Sequence, residues 1–408
     1  MRFPVRIGWM LGAFGLLAFT QHAASADTNR TIKIAVILPY TGTAGETMGD
    51  IDRAIQLAVD QANGQGLPGG YRIELRRCDH GVAGKAYDEP RAQDCMRQII
   101  GDPLVVAEYG PFHSAVTSGM IRLSNAAGLA MVSQVTFPGL TRGSTGLGLR
   151  SARPDDLAFF RMSGTNDLQG PAGAQFARAQ GIKRIYVLDD AESYGKSLAD
   201  TFEISFRAAG GEVIAHEAIG NVAGTYPAVV ERVSKAKPDA VYFGGLGPQL
   251  AAFRLAMAAA GLGKLPFYGG NAMGEDNYAK DAHGYLYNSF YTFTAPNAAH
   301  VPGPLAQRFV NDFQRRWHRA PGQFDIGAYA SLQVEIAALR TTLTESRGAF
   351  PSRAAVRAAI ERTHHLQTSV GETSFDVNGD IRKPYISFYG YGKDGRPHYV
   401  TQAIVQRQ

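Results

Sequence analysis

The chain has 408 residues, enough for two or three domains at about 150 residues each. Apolar residues make up 45% and charged residues 19% of it, a mixture that excludes disorder, collagen-like repeats and a coiled coil. The formal net charge is +5 with no run of five like charges, so neither a nucleic-acid stripe nor a polybasic membrane patch stands out.

In chain order, the first segment reads as an address. Arg2 and Arg6 form a positive start, Ile7 to Phe19 is a short apolar stretch, and Ala24-Ser25-Ala26 supplies a cleavage pattern. Residues 1–26 are therefore expected to be an export signal, with Asp27 the first mature residue. No cysteine sits at that junction to take a lipid anchor, and no run of 18 uncharged apolar residues follows. Two cysteines, Cys78 and Cys95, lie where export lets a disulfide persist. Such a bridge is worth about 3 kcal/mol on chain-entropy grounds; two buried free thiols are the alternative.

Beyond the signal, strand and helix patterns alternate, which predicts an α/β fold with parallel sheets. Ile32–Leu38 reads as a buried strand, followed by a Gly-rich loop over Thr41–Gly49. A helix follows whose apolar positions Ile51, Ala54, Ile55, Ala58, Val59 and Ala62 share one face. Tyr71–Cys78, Val105–Tyr109 and Ala130–Ser133 read as further strands. Arg91–Ile100 and Ser114–Ala127 read as helices between them. After Phe160–Gly164 the same grammar restarts: strands at Arg184–Leu188, Glu212–His216, Ala240–Phe243 and Pro266–Tyr268, and helices at Tyr194–Ala209, Tyr226–Ala236 and Gln249–Ala260. Tyr285–Phe293 has strand-like aromatic composition. Helices over Leu305–Trp317, Ile326–Leu343 and Ser352–Arg362 follow, and Ser374–Asp376 and Ile386–Tyr391 read as closing strands around a turn at Asn378–Asp380.

In order along the chain, Ile34–Leu38 with Pro39-Tyr40-Thr41-Gly42, Gly49, Gln61-Ala62-Asn63, Tyr109-Gly110, Ser114, Pro138–Thr141, Gln169-Gly170-Pro171, Asp189–Gly195, Tyr242–Gly245 and Tyr329-Ala330 resemble type I periplasmic solute-binding proteins. The likeness is to the branched-chain amino acid (leucine/isoleucine/valine) branch that feeds ABC importers. The resemblance implies two doubly wound parallel-sheet lobes joined by a three-strand hinge, with the ligand between them. It places lobe 1 at 27–162 plus 291–381 and lobe 2 at 163–290 plus 382–408, with crossings near Phe160–Gly164, Tyr285–Phe293 and Asn378–Pro384.

Physics points to the same cleft, because ligands of open α/β sheets sit beyond the strands' carboxyl ends, where helix N-termini leave amides unpaired. The loop after Val105–Tyr109 delivers Ser114 to a helix start, which suits a carboxylate; a plain N-cap is the alternative. By resemblance, Val135 and Thr136 complete the carboxylate clamp, with Phe137 a one-residue alternative to Thr136. Tyr194 closes from the other lobe, and Phe112 and Phe324 wall the side-chain pocket. An ammonium stripped of water wants a formal negative charge, yet the two aligned acid positions are Asn271 and Asn166. An expected aromatic hydroxyl is replaced by Leu246. Asp167, Glu275 or Asp276 could substitute, so the expected ligand is an amino acid or, alternatively, an aromatic or short-chain carboxylic acid lacking the amino group.

No phosphate-binding loop, dinucleotide fingerprint, zinc motif or nucleophile elbow occurs, so no catalytic residue, cofactor or metal is expected. His364-His365 would lie on different sides of a helix, a poor chelate. The expected partners are a small carboxylate-bearing solute and an ABC permease, with no nucleic acid and a monomeric chain in the periplasm. Docking to a separate membrane sensor is the alternative to the permease.

Overall fold

The computed structural model describes Met1 and residues 30–220, 223–282 and 284–405. The rest of the expected export signal lies outside the described residues. Among those residues no helix is long and apolar enough to cross a membrane.

Five parallel strands form the first sheet, in the order β2-β1-β3-β4-β5. They are β1 (Thr31–Leu38), β2 (Arg72–Asp79), β3 (Val105–Tyr109), β4 (Ala130–Ser133) and β5 (Phe159–Arg161). Helices α1 (Gly45–Gln65), α2 (Glu89–Gly101), α3 (Ser114–Ala127) and α4 (Gly143–Leu149) connect them. The alternation along β1 explains the double winding. Ile32, Ile34, Val36 and Leu38 pack with Ile51, Ile55 and Val59 of α1. Ala35 and Ile37 face the other way, against Met96 of α2 and Val116 and Met120 of α3. A strand buried on both faces reads as one apolar run, as this one does. Cys78 and Cys95 are bridged, with Cα atoms 5.7 Å apart, tying the end of β2 to α2.

The chain then builds a second sheet in the order β14-β13-β10-β9-β8-β6-β7. Its parallel part is β6 (Arg184–Asp189), β7 (Glu212–Ala218), β8 (Ala240–Gly244), β9 (Phe267–Gly269) and β10 (Ser289–Phe293). Helices α5 (Asn166–Ala179), α6 (Ser193–Ala208), α7 (Tyr226–Ala236), α8 (Gly247–Ala259) and α9 (Asp276–Asp281) cover it. The chain returns through α10 (Pro304–Trp317), α11 (Asp325–Glu345) and α12 (Arg353–Glu361) to the first sheet, where α11 packs on α1 and α12 on β3 and β4. A small hairpin of β11 (Leu366–Thr368) and β12 (Gly371–Thr373) follows. Then β13 (Tyr385–Tyr391) and β14 (Pro397–Ile404) close the second sheet as antiparallel strands.

Three segments thus pass between the sheets, and backbone hydrogen bonds bind them together. Arg161 N donates to Gly379 O at 2.8 Å, Ile381 N to Arg161 O at 3.0 Å, and Gly164 N to Thr294 O at 3.3 Å. Gly379 has φ 85°, and a Cβ there would sit 2.4 Å from Phe159 O, so only glycine lets the crossings lie this close.

Several expected elements differ. Helix α1 begins at Gly45, inside the expected loop, because a residue without Cβ can approach Tyr40 O this closely. The pattern missed α5, which carries Pro171 inside it. Its Gly170 lies where a Cβ would meet Thr201 Oγ1 at 2.3 Å, so the residues that disguise α5 are those that seat it on α6. The expected strand at Ser374–Asp376 is only a single bridge, Phe375 to Ile381. His364 and His365 lie beyond the end of α12 at Glu361, not on opposite sides of a helix, and His365 pairs with Glu372 at 3.1 Å.

Candidate functional site

Strand β3 ends at Tyr109, and the loop from Gly110 to His113 leads into α3. His113 occupies the cap position, and Ser114 is the first helical residue, 4% exposed. The cap therefore leaves the Ser114 hydroxyl and the first-turn amides available to a guest. The loop is pinned from below: Ser133 Oγ donates to Pro111 O at 2.7 Å, and Thr117 Oγ1 to His113 O at 2.7 Å. Beside it, β4 runs out into Gln134, Val135 and Thr136, all buried. Gln134 Nε2 donates to Tyr109 Oη at 2.8 Å and to Phe324 O at 3.2 Å.

These residues form one wall of a cavity with about 510 Å³ of space inside it, its mouth included. From the first-sheet side come Tyr87, Phe112, His113, Ser114, Ala115, Gln134, Val135, Thr136 and Phe324. From the second come Glu192, Ser193, Tyr194, Leu246, Asn271, Ala272 and Glu275. The Phe112 and Phe324 rings meet edge-on at 4.9 Å, and Phe324 meets Phe293 at 4.6 Å. Tyr194 sits in the first turn of α6 with its hydroxyl by the amides of Asn271 and Ala272. Burial raises its pKa, so it stays a neutral phenol.

Seven of the eight residues expected at the ligand, Ser114, Val135, Thr136, Tyr194, Asn271, Phe112 and Phe324, line this one cavity. Asn166 does not. Its Nδ2 donates to Tyr194 O at 3.0 Å, and its amide to Thr136 O at 2.9 Å, so it holds two lining segments together. Phe137, the alternative to Thr136, is not among the residues that line the cavity; it is half-buried and packs against the core cluster that holds Val135 and Leu140. Asn271 lines the wall, but its carboxamide is committed. Oδ1 accepts from Gln169 Nε2 at 2.8 Å and Thr294 N at 3.0 Å, and Nδ2 donates to Thr294 Oγ1 at 2.7 Å.

Of the three acids that could substitute, Asp167 sits in the first turn of α5 and accepts from Thr165. Asp276 turns to Thr47. Glu275 lines the cavity, 4% exposed, and burial pushes its carboxyl up to about 8. Nearby, burial first and then the Glu192 and Asp189 charges push Asp190 up to about 7. Burial, reinforced by His80, lowers His113 to about 3, so its ring is neutral. Among the lining polar atoms, His113 Nδ1 and Ser193 Oγ are buried with no hydrogen-bond partner among the described residues, and a polar guest can satisfy both.

Tyr87, His113, Gln134, Glu192 and Ser193 were not singled out from the sequence. Three of them, His113, Gln134 and Ser193, adjoin residues that were, and Glu192 is two residues from Tyr194. Tyr87 follows the carboxyl end of β2, so the strand-end rule applied to every strand would have found it. The lining joins unpaired amides and hydroxyls on one side to carboxyl groups on the other. Such a cavity can hold a small guest with an anionic end and a hydrogen-bonding or cationic end.

The model of a family described as periplasmic binding protein matches residues 31–388. A leucine-, isoleucine-, valine-, threonine- and alanine-binding protein of Pseudomonas aeruginosa is 26% identical over 395 residues, covering 95% of this chain and 96% of that protein. Among solved structures, a leucine-binding protein of Thermotoga maritima superposes with a TM-score of 0.78 at 22% identity, covering 91% of this chain and 98% of that one. A solute-binding protein of an R. palustris ABC transporter, in complex with benzoate, gives 0.75 at 19% identity, with coverages of 93% and 98%. The two wound sheets agree with these likenesses, and the chain belongs to the periplasmic binding protein family, with the type I fold.

Proposed function

We propose that the chain captures a small amino acid with an apolar side chain, of the branched-chain type, between two lobes and delivers it unaltered to an ABC permease. The lobes are 27–162 with 291–381, and 163–290 with 382–408. The protein works as a periplasmic monomer after loss of residues 1–26. One observation carries this reading: a single cavity is lined by Ser114 at a helix start, by Thr136 on the strand exit beside it and by the buried Glu275. The first pair suits a carboxylate, and an ammonium guest gives Glu275 the counter-charge that its burial otherwise denies it. Phe112, Leu246 and Phe324 leave room between them for aliphatic carbons. Closure has to add contacts, since moving from 1% to 99% closed takes about a 10⁴-fold preference for the shut form.

A second reading rests on the rings of Tyr87, Phe112 and Phe324 in the lining and on the proton that Glu275 carries at neutral pH in the empty chain. Both suit an aromatic carboxylic acid. A thermal-shift panel separates the two. L-leucine, L-isoleucine and L-valine are expected to raise the unfolding temperature, and 4-methylpentanoate, which is leucine without its amino group, is not. Stabilisation by benzoate and 4-methylpentanoate with none by the amino acids replaces the first reading with the second.

A further inference from the structure

A helix leaves its first amides unpaired unless a side chain caps them. Helix α1 follows Ala44, which has no side-chain acceptor, so no side chain at the cap position serves it. Its third amide, Thr47 N, instead donates to Asp276 Oδ1 at 3.0 Å, and the Thr47 hydroxyl donates to the same oxygen. Helix α9 also starts without a side-chain cap of its own. Its first amide, Asp276 N, donates to Thr47 Oγ1 at 3.3 Å. Two helix starts 229 residues apart thus exchange caps, one on the first sheet's α1 and the other beside the second sheet's α8. The Asp276 carboxylate also lies at the positive end of the α1 dipole.

The exchange sits in a recess that shares the Phe324 wall with the ligand cavity. The neighbour of Asp276 in the chain, Glu275, lines that cavity. Forming the cap therefore fixes the peptide that carries Glu275, while neither Thr47 nor Asp276 lines the cavity itself.

We propose that Thr47 and Asp276 form a cross-lobe cap that favours the closed form and positions Glu275 without touching the guest. It rests on the lobe-closure reading but not on the identity of the ligand. Opening the lobes strips both helix starts of their caps, so the pair biases closure even in the empty chain. The expected bias is about tenfold, the size of one helix cap.

The test is small-angle X-ray scattering on the ligand-free full-length mature chain and on Thr47→Val, Asp276→Ala and Thr47→Ser. The first two variants should enlarge the radius of gyration by shifting about tenfold toward the open form, and Thr47→Ser, which keeps the hydroxyl, should match wild type. Thr47→Val keeps side-chain shape, so a fold lost in Asp276→Ala alone leaves the question answerable. A chase of bound L-leucine should show release about tenfold faster in Thr47→Val, with association within twofold of wild type. Superimposable scattering from wild type and Thr47→Val overturns the proposal, as does Thr47→Ser behaving like Thr47→Val. Failure of L-leucine to bind any variant counts against the ligand reading alone, because the scattering arm needs no ligand.

Discussion

The two walls of the cavity are built alike and charged differently. Both come from loops at strand ends and the helix starts that follow. The first-sheet wall offers Ser114, Thr136, Gln134 and a neutral His113, with no carboxyl among its lining residues. The second-sheet wall offers Glu192 and Glu275 beside Tyr194 and Asn271. Both walls are braced by hydrogen bonds: the first by Ser133 to Pro111 O, Thr117 to His113 O and Gln134 to Tyr109, the second by Asn166 to Tyr194 O and by Gln169 and Thr294 on Asn271. Helix-start amides and hydroxyls on one side and a proton-carrying carboxyl on the other make an order of events natural. On the function proposed above, the guest's carboxylate docks on the first wall, and the second wall then decides which guests are retained.

The strongest way to break this contrast is to remove the anion wall. Ser114→Ala with Thr136→Val takes away two hydroxyls, each worth about 1.5–3 kcal/mol when bonded to a charged group. L-leucine and benzoate should both lose affinity by about 100-fold or more in calorimetric titration. The unfolding temperature of the empty chain should stay near wild type. Unchanged affinity for both guests removes the clamp.

Glu275→Gln probes the other wall and should have a smaller, guest-dependent effect. Affinity for L-leucine falls by about tenfold or more, the cost of leaving an ammonium without its counter-charge, while benzoate is spared. The pH dependence carries the sign. Burial raises Glu275 from its ordinary 4.5 to about 8 in the empty chain, so an ammonium guest has to expel that proton. L-leucine affinity should then rise between pH 6 and 8, by at most tenfold per unit, and proton release should be visible in buffers of different ionisation heat. A guest without the amino group keeps the proton on Glu275, and its affinity falls above pH 8. The same shift acts on the empty fold. Its contribution to stability is complete below pH 4.5 and is lost as pH climbs through 8. Glu275→Gln should therefore flatten that part of the stability curve. A pH-independent L-leucine affinity in wild type would show that Glu275 does not meet the ammonium.

The first wall was the more legible one in the sequence, for a physical reason. Its residues follow short, buried and mostly apolar strands, Val105–Tyr109 and Ala130–Ser133, so the strand ends and the polar exits at Ser114 and Thr136 stand out. The second wall depends on the turn after β9, where Asn271 and Glu275 are four residues apart, both line the cavity, and only tertiary packing decides which head group is already committed to partners in the fold. Asn271 turns to Gln169 and Thr294, partners 102 and 23 residues away, and no local pattern reports such a choice. Helix α5 was hidden for a related reason. Gly170 and Pro171 lower its propensity, and tight packing on α6 outweighs that cost.

The smallest effect on the guest belongs to the bridge. Cys78 lies near the end of β2 and Cys95 in α2, and the segment between them carries Tyr87 into the cavity. Tyr87 also reaches across to Glu192, whose charge, after burial, helps raise the phenol above its ordinary range. Cys78→Ser with Cys95→Ser frees the ends of that segment in the unfolded chain far more than in the folded one. The expected stability loss is about 3 kcal/mol, read as an earlier midpoint in a denaturant titration. The folded segment keeps other anchors, since Arg91 N donates to Asp88 at 3.0 Å and Gly81 N to Asp79 at 2.7 Å. L-leucine affinity should therefore change by less than about threefold, which is within 0.7 kcal/mol. A larger loss would mean that Tyr87 and Glu192 depend on the bridge for their meeting, and the first wall would then be less firmly braced than its hydrogen bonds imply.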